Sequence, residues 1–364
     1  MVFVPFFLYQ EKYSASAILA LYGVFFVTRT VFDIGAGYYV ARYGPKHAMI
    51  VSCILQIVSV SLMMSVPSHH WNIAILAIPW ATSTSFFFIA FHVVFSKIKH
   101  TTKAGSELGH MQAFEKIGAF IGPFVGGVIG SLLGPEYIFL VATVLLFASL
   151  VPLFQSAEPV KVRQKLQFRD LPIAKIKHDL LANACLGIEN TLCINAWSFY
   201  VAVFVLTGSV YAKLGSLSAF AVLMSIVSAK VIGHLADTSY ARKFMRTSAI
   251  INSLTYLTRP FATTVWGVFA INTANEAVTA AYRMPFIKGI YSAADDLPGL
   301  RIVYISSLEA IDSIAKATVW FFLAILATAF ELKTVLFIAF AIAGVASLGI
   351  MQERFAVYNT KQKA

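Results

Sequence analysis

The sequence predicts an all-α polytopic membrane protein, built as two pseudo-symmetric six-helix bundles with the first helix incomplete. Three observations carry that prediction. First, of 364 residues 59% are hydrophobic and only 12% charged, and the mean hydropathy is +0.76. A soluble chain is nearer half apolar and a quarter charged, and a soluble domain of this length has nowhere to hide the surplus. Disorder is excluded for the opposite reason. Lipid is the solvent that accepts apolar residues on the outside as well as in the core. Second, the basic residues segregate into alternate loops. Third, the two halves of the chain repeat one another.

A helix needs about 20 mostly apolar residues to cross a bilayer. The opening MVFVPFFLYQ is too short, and it lacks the basic start and small-residue cleavage site of a signal peptide. It reads as the last half of a helix whose first half is missing, through a misassigned start or a fragment. Full spans are expected over 15–40, 47–66, 71–95, 108–133 and 137–154 in the first half. The second half is expected to span over 179–206, 214–236, 244–262, 263–287, 302–330 and 333–351. Eleven spans and the stub make twelve helices. The segment 244–262 is the most polar, with Asn252, Thr255 and Thr258, and has to pack on protein or line a cavity.

The net charge of +11 is distributed, not patched, so no nucleic-acid partner is expected. Counting loops alternately from the one after the second helix, that set and the C-terminal tail hold 19 Lys and Arg. The opposite set holds four, Lys12, Lys213, Arg259 and Lys333, and five more lie within spans. The positive-inside rule puts the richer side and the C-terminus in the cytoplasm, in the inner membrane for a bacterial protein. Cys53, Cys185 and Cys193 sit in apolar segments without metal-ligand spacing and read as small core residues.

The longest connection, with Pro159, Pro172 and six bases, divides the chain. Residues 1–155 form the first bundle, 156–178 a basic cytoplasmic linker, 179–352 the second bundle and 353–364 a cytoplasmic tail. Parallel repeats of six helices are one transporter architecture. GYYVARYGPKH from Gly37 matches GHLADTSYARK from Gly233 at an offset of 196. Glu115 aligns with Glu309 at 194, and His92 with Arg283 at 191. The repeat suggests gate pairs near the cytoplasmic ends, His92 with Glu115 and Arg283 with Glu309.

The loop motif resembles that of the major facilitator superfamily, roughly G-x-L-A-D-R-x-G-R-R, and the resemblance covers essentially the whole chain. In the second half Gly233, Leu235, Ala236, Asp237 and Arg242 match; in the first, Gly37, Arg42, Gly44 and Lys46 do, but Ala41 stands where the motif has aspartate. The resemblance implies that these loops gate; turn chemistry and topology alone are the competing reading. From Gly109 the fifth helix carries Gly118, Gly122, Pro123, Gly126 and Gly127. Glycines three or four apart make a groove for another helix, and Pro123 kinks the rod. The spacing is similar to the antiporter motif of the superfamily's proton-coupled drug exporters, which implies efflux of an apolar compound, although the arginine usual in the fourth helix of such exporters is absent here.

Ionisable groups at mid-bilayer are costly and therefore paired or functional. Arg29 and Asp33, four apart, can pair or couple transport to an ion. Glu189 with Asn190, and Glu276 with Asn272 and Asn275, lack an obvious local cation. They are candidates for proton coupling or cation binding, against hydrogen-bonded packing. Glu309, Asp312 and Lys316 share one face of the eleventh helix, as cavity lining or as a structural network. Trp80, Trp197 and the run Phe86–Phe88 are either substrate contacts or packed against helices and lipid.

These features point to a secondary active transporter of a small molecule working by alternating access, driven by protons in the efflux reading. Nutrient uptake and a non-transporting sensor on the same scaffold are the alternatives. No H-E-x-x-H, G-x-S-x-G, P-loop or metal-ligand cluster is present. No enzymatic activity, cofactor or metal is expected, and the partners are lipid, substrate and protons around a monomer.

Overall fold

A computed structural model describes the backbone of residues 2–98, 104–158, 164–232, 241–297 and 299–358. It describes their side chains apart from those of 95–98, 104–113, 115, 229–232, 241 and 358. Gly233 and Asp237 of the loop motif lie outside the described residues, as do the side-chain surroundings of Gly109 and Glu115. Twelve helical rods follow one another: α1 (Val4–Gln10), α2 (Ala15–Tyr43), α3 (Pro45–Met64), α4 (Ile73–Ile98), α5 (Ala104–Leu132) and α6 (Pro135–Gln155). The second six are α7 (Ile173–Val205), α8 (Val210–Ile232), α9 (Ala241–Thr258), α10 (Val265–Asp295), α11 (Arg301–Ala329) and α12 (Leu332–Gly349).

Local chemistry sets the breaks. Ser14 caps α2 by accepting from the Ala17 amide at 3.1 Å. Gly44 (φ +96°) and Gly134 (φ +119°) adopt a backbone closed to most side chains, and a proline opens the helix after each. Two boundaries differ from expectation. α7 starts at Ile173, inside the stretch expected as linker, because Ile176 and Leu180 bury themselves against the ends of α2 and α11. α10 continues to Asp295, because Gly289 packs on the Phe355 ring of the tail, Ile290 and Ala293 pack on the cluster around it, and Ala294 is buried.

Eight described helices are long and apolar enough to cross a membrane, fewer than the eleven expected. The apolar part of α5 within the described side chains is short (Lys116–Leu132), and α9 and α10 carry buried polar groups, Ser248 and Asn252 on α9 and Asn275 on α10. α6 shows the reverse pattern: its most apolar window has no buried residue, as a lipid-facing helix requires.

Two seams join the halves. α2 runs along α11, from Ser16 Oγ donating to Ala324 O (2.9 Å), past Gly23 against the Phe321 ring, to Gly37 against Ser306. α5 crosses α8 where Gly127 meets the backbone of Tyr211 and Gly215, and Pro123 O lies against Gly215. The glycine groove is therefore only partly used for packing: Gly126 and Gly130 receive Phe3, Ile138 and Tyr211, whereas a Cβ on Gly118 or Gly122 meets nothing within 4 Å among the described residues. At the end remote from the basic loops, α1 contributes Phe6 against Tyr211, Phe7 against Phe139 and Tyr9 against Phe199. That cluster ties both halves together there.

Candidate functional site

Between the two seams lies a cavity of about 390 Å³, lined by α2 and α4 of the first half and α7, α10 and α11 of the second. Its walls differ in chemistry. The first half supplies Tyr22, Phe25, Phe26, Trp80 and Phe88. Tyr22 stacks on Trp320 at 4.6 Å, and Phe25 lies 4.6 Å from the Trp80 ring, so this wall is held by ring contacts. The second half supplies Asn183, Asn190, Asn195, Arg283, Asp312 and Lys316. α7 widens into a π turn at Leu192–Ala196, and Asn195 on that turn donates to Thr191 O at 3.2 Å. Such turns break the regular ladder and are frequent at functional sites.

A charged cluster bridges the halves at the cavity's basic-loop end. Arg29 of α2 donates to Glu309 of α11 at 2.8 Å and lies 3.5 Å from Asp33. Asp33, fully buried, accepts from Ser313 of α11 at 2.9 Å. His92 of α4 stands 3.6 Å from Glu309 and 2.9 Å from the Tyr291 hydroxyl of α10. One helical turn from Glu309, Asp312 pairs with Lys316, whose ammonium lies 5.3 Å from the Phe26 ring centre. Gly187 of α7 makes room for this pair, because a Cβ there collides with the Asp312 carboxylate.

Each half carries a second, peripheral device where its third helix begins. In the first half Glu158, three residues past α6, accepts from the Lys46 amide (3.3 Å) and His47 Nδ1 (3.3 Å) at the start of α3, and Lys46 Nζ donates to Ser156 O at 2.5 Å. In the second, Glu353 just past α12 takes Arg242 Nε (2.9 Å) and lies 3.7 Å from Arg246 at the start of α9. Arg242 also donates to Phe355 O at 3.1 Å. Glu158 and Glu353 are 195 residues apart, the spacing of the internal repeat. A carboxylate at a helix N-terminus gains from the dipole as well as from the cation. Burial pushes the Glu353 carboxyl above the ordinary glutamate range, outweighing Arg242. The tail is thus docked on the second half through Glu353 and Phe355.

The model of the Major Facilitator Superfamily matches residues 1–284. The chain belongs to that superfamily. No match was found among curated proteins. This facilitator is a secondary transporter and an integral multi-pass membrane protein, and its family is one of transporters, not enzymes.

The facilitator's structure separates the candidate residues into three groups. Arg29, Asn190, Arg283, Glu309, Asp312, Lys316 and His92 line the cavity, with Asp33 directly behind Arg29. Glu189, Asn272 and Asn275 do not line it. They turn into the core of the second half, where Glu189 accepts from Tyr256 (2.5 Å) and Asn252 (3.0 Å). Asn272 accepts from Trp197 (2.7 Å), and Asn275 from Arg259 (2.9 Å). Arg259, expected in an outer loop, is 1% exposed and sits over the Tyr256 ring at 4.1 Å. It donates to Cys193 Sγ at 3.1 Å, and the groups that act on it electrostatically are first Cys193 and Tyr256, with Glu189 after them. Glu276 is half-buried away from the cavity lining, and Lys116 of α5 and Arg283 are the cations that act on it most.

Of the expected gate pairs, His92 with Glu115 lies outside the described side chains, and Arg283 and Glu309 each meet other partners. Glu309 meets Arg29 and His92 of the other half, while Arg283 contacts Asn190 at 3.5 Å. The repeat maps each helix of one half onto its counterpart in the other, but it does not say which helices touch at the seam. Sequence reasoning also missed Glu158, Glu353, Arg259, Lys116 and Gly187. The repeat offset applied to the residues after the sixth and twelfth helices identifies the first two. For the others no sequence signal exists, since each acts on a residue far along the chain.

Proposed function

We propose that this facilitator moves an apolar small molecule through the central cavity by alternating access, the bundles 1–155 and 179–352 rocking about the seams. Supporting this, the cavity takes its walls from both halves, and the Arg29–Glu309 ion pair crosses between them at one end. Breaking that pair while the α1 contacts at the other end hold, and then the reverse, is the exchange that alternating access requires. In this reading the basic loops and the tail face the cytoplasm, and the carboxylate clamps at Glu158 and Glu353 hold the start of α3 and α9 to their own bundles while the halves move. The molecule works as a monomer.

Export driven by protons is the favoured direction, on the long glycine motif of α5. The coupling groups are the seam carboxylates Asp33, Glu309 and Asp312 with His92, which face the cavity or its wall, and not Glu189. Uptake of a nutrient uses the same machinery in reverse. The test is flux in proteoliposomes with a pH gradient of either sign. Accumulation in the acidic compartment, against the proton flow, supports antiport and so export, and accumulation in the alkaline compartment supports uptake instead; flux unaffected by the gradient removes coupling, and no flux of any solute removes transport.

A further inference from the structure

Charge bookkeeping around the cavity singles out one cation. Arg29, Lys316 and Arg283 are its strongly basic lining residues. Arg29 is bound by Glu309 and Asp33, and Lys316 by Asp312. Arg283 is exposed, and its hydrogen bond among the described residues is a long one to Asn190 Oδ1, at 3.5 Å. No described carboxylate lies within ion-pair distance of it. Glu276, two turns back on the same helix, acts on it only at longer range. The accessible carboxylates are spoken for: Glu309 holds Arg29 and faces His92, while Asp312 has one oxygen on Lys316 and the other packed against Gly187. A solvated guanidinium with no carboxylate beside it is free to exchange its water for an anion, and its planar fork suits a carboxylate or phosphate. The wall from α2 and α4 carries the rings of Phe25, Trp80 and Phe88, and its Arg29 and His92 face Glu309.

We infer that the substrate is an amphipathic organic anion, its carboxylate or phosphate on Arg283 beside Asn190 and its apolar body on the aromatic wall of α2 and α4. This rests on the cavity being the substrate site. The volume of about 390 Å³ lies in the range of small-ligand pockets. A cation of the same shape meets Arg283 with no free carboxylate to receive it.

The test is ligand-induced thermal stabilisation of the full chain in detergent. The probes are matched sets: 1-naphthylacetate, indole-3-acetate, 4-phenylbutyrate and 2-naphthyl phosphate, each beside its uncharged amide or alcohol and an amine of the same skeleton. At least one anion is expected to bind tenfold or more tightly than its neutral and cationic counterparts. Arg283→Gln is expected to abolish that preference and Arg283→Lys to keep part of it. Asn190→Asp, which places a carboxylate beside the site, is expected to weaken the anion tenfold while sparing the neutral partner. Because Arg283 is exposed, the variants are expected to melt, without ligand, where the parent does; Asn190→Asp carries the test alone if Arg283→Gln does not fold. No preference for any anion, or a preference unchanged in Arg283→Gln and Asn190→Asp, overturns the assignment. Proteoliposome flux separates the two readings. Neutral or cationic solutes moved without anion binding leave a transporter and remove the anion site; anions bound through Arg283 without flux do the opposite.

Discussion

Glu189 and Asp312 looked alike as charges inside helices, yet their surroundings assign them different work. Glu189 is 2% exposed and held by the Tyr256 hydroxyl and the Asn252 amide in the core of one bundle, so it has no path to the cavity. Asp312 lines the cavity and shares a seam with the other bundle. Glu189→Gln weakens the charge-assisted hydrogen bonds that Tyr256 and Asn252 donate in that core, each worth about 1.5–3 kcal/mol. It is expected to lower the melting temperature and leave the pH profile of flux unchanged. Asp312→Asn is expected to alter that profile. Equal pH responses in the two variants contradict the division. The existence of these charges was legible in the sequence, because an acid in an apolar run stands out. Which way each one points was not: Glu189 and Asn190 are neighbours that face the core and the cavity respectively.

At the scale of the helices, the glycines of α5 do unequal work. A Cβ on Gly127 comes within 2.6 Å of Tyr211 O and 3.1 Å of Gly215 Cα, both backbone, so α5 and α8 have to separate. One on Gly118 meets nothing within 4 Å and gains helix propensity of roughly 0.5–1 kcal/mol. Gly118→Ala is therefore expected to be neutral or stabilising, and Gly127→Ala to destabilise and slow flux, read by thermal melts and proteoliposome rates. The motif was visible in sequence as a spacing, but a spacing does not say which of its members has a partner. The terminal clamps make a second element-scale prediction. Burial holds the Glu353 carboxyl above its ordinary range, so its protonated form is favoured by folding. The associated stability is full below the ordinary glutamate pKa and declines as pH rises through the raised value. Glu353→Gln is expected to flatten that decline in melts across weakly acidic pH, while Glu353→Ala releases Arg242 and Phe355 and destabilises throughout.

For the whole molecule, the sequence already carried most of the architecture. Apolar runs, basic loops and a repeat offset near 195 residues each report a property averaged over many positions, and the apolar runs fall on the helices found among the described residues. The seams were not legible, because α2 with α11 and α5 with α8 pair residues from opposite halves, and so the cavity between them could not be drawn. That cavity is the centre of the account, and its access to the two sides of the membrane is the decisive quantity. Thr84 of α4 lines it, and Cys53, Cys185 and Cys193 are free thiols that can be replaced. In such a background, Thr84→Cys is to be labelled with a membrane-impermeant thiol reagent applied from each side of oriented vesicles. Alternating access predicts labelling from both sides, each suppressed by a bound substrate; labelling from one side only, under every gradient and substrate condition, contradicts it.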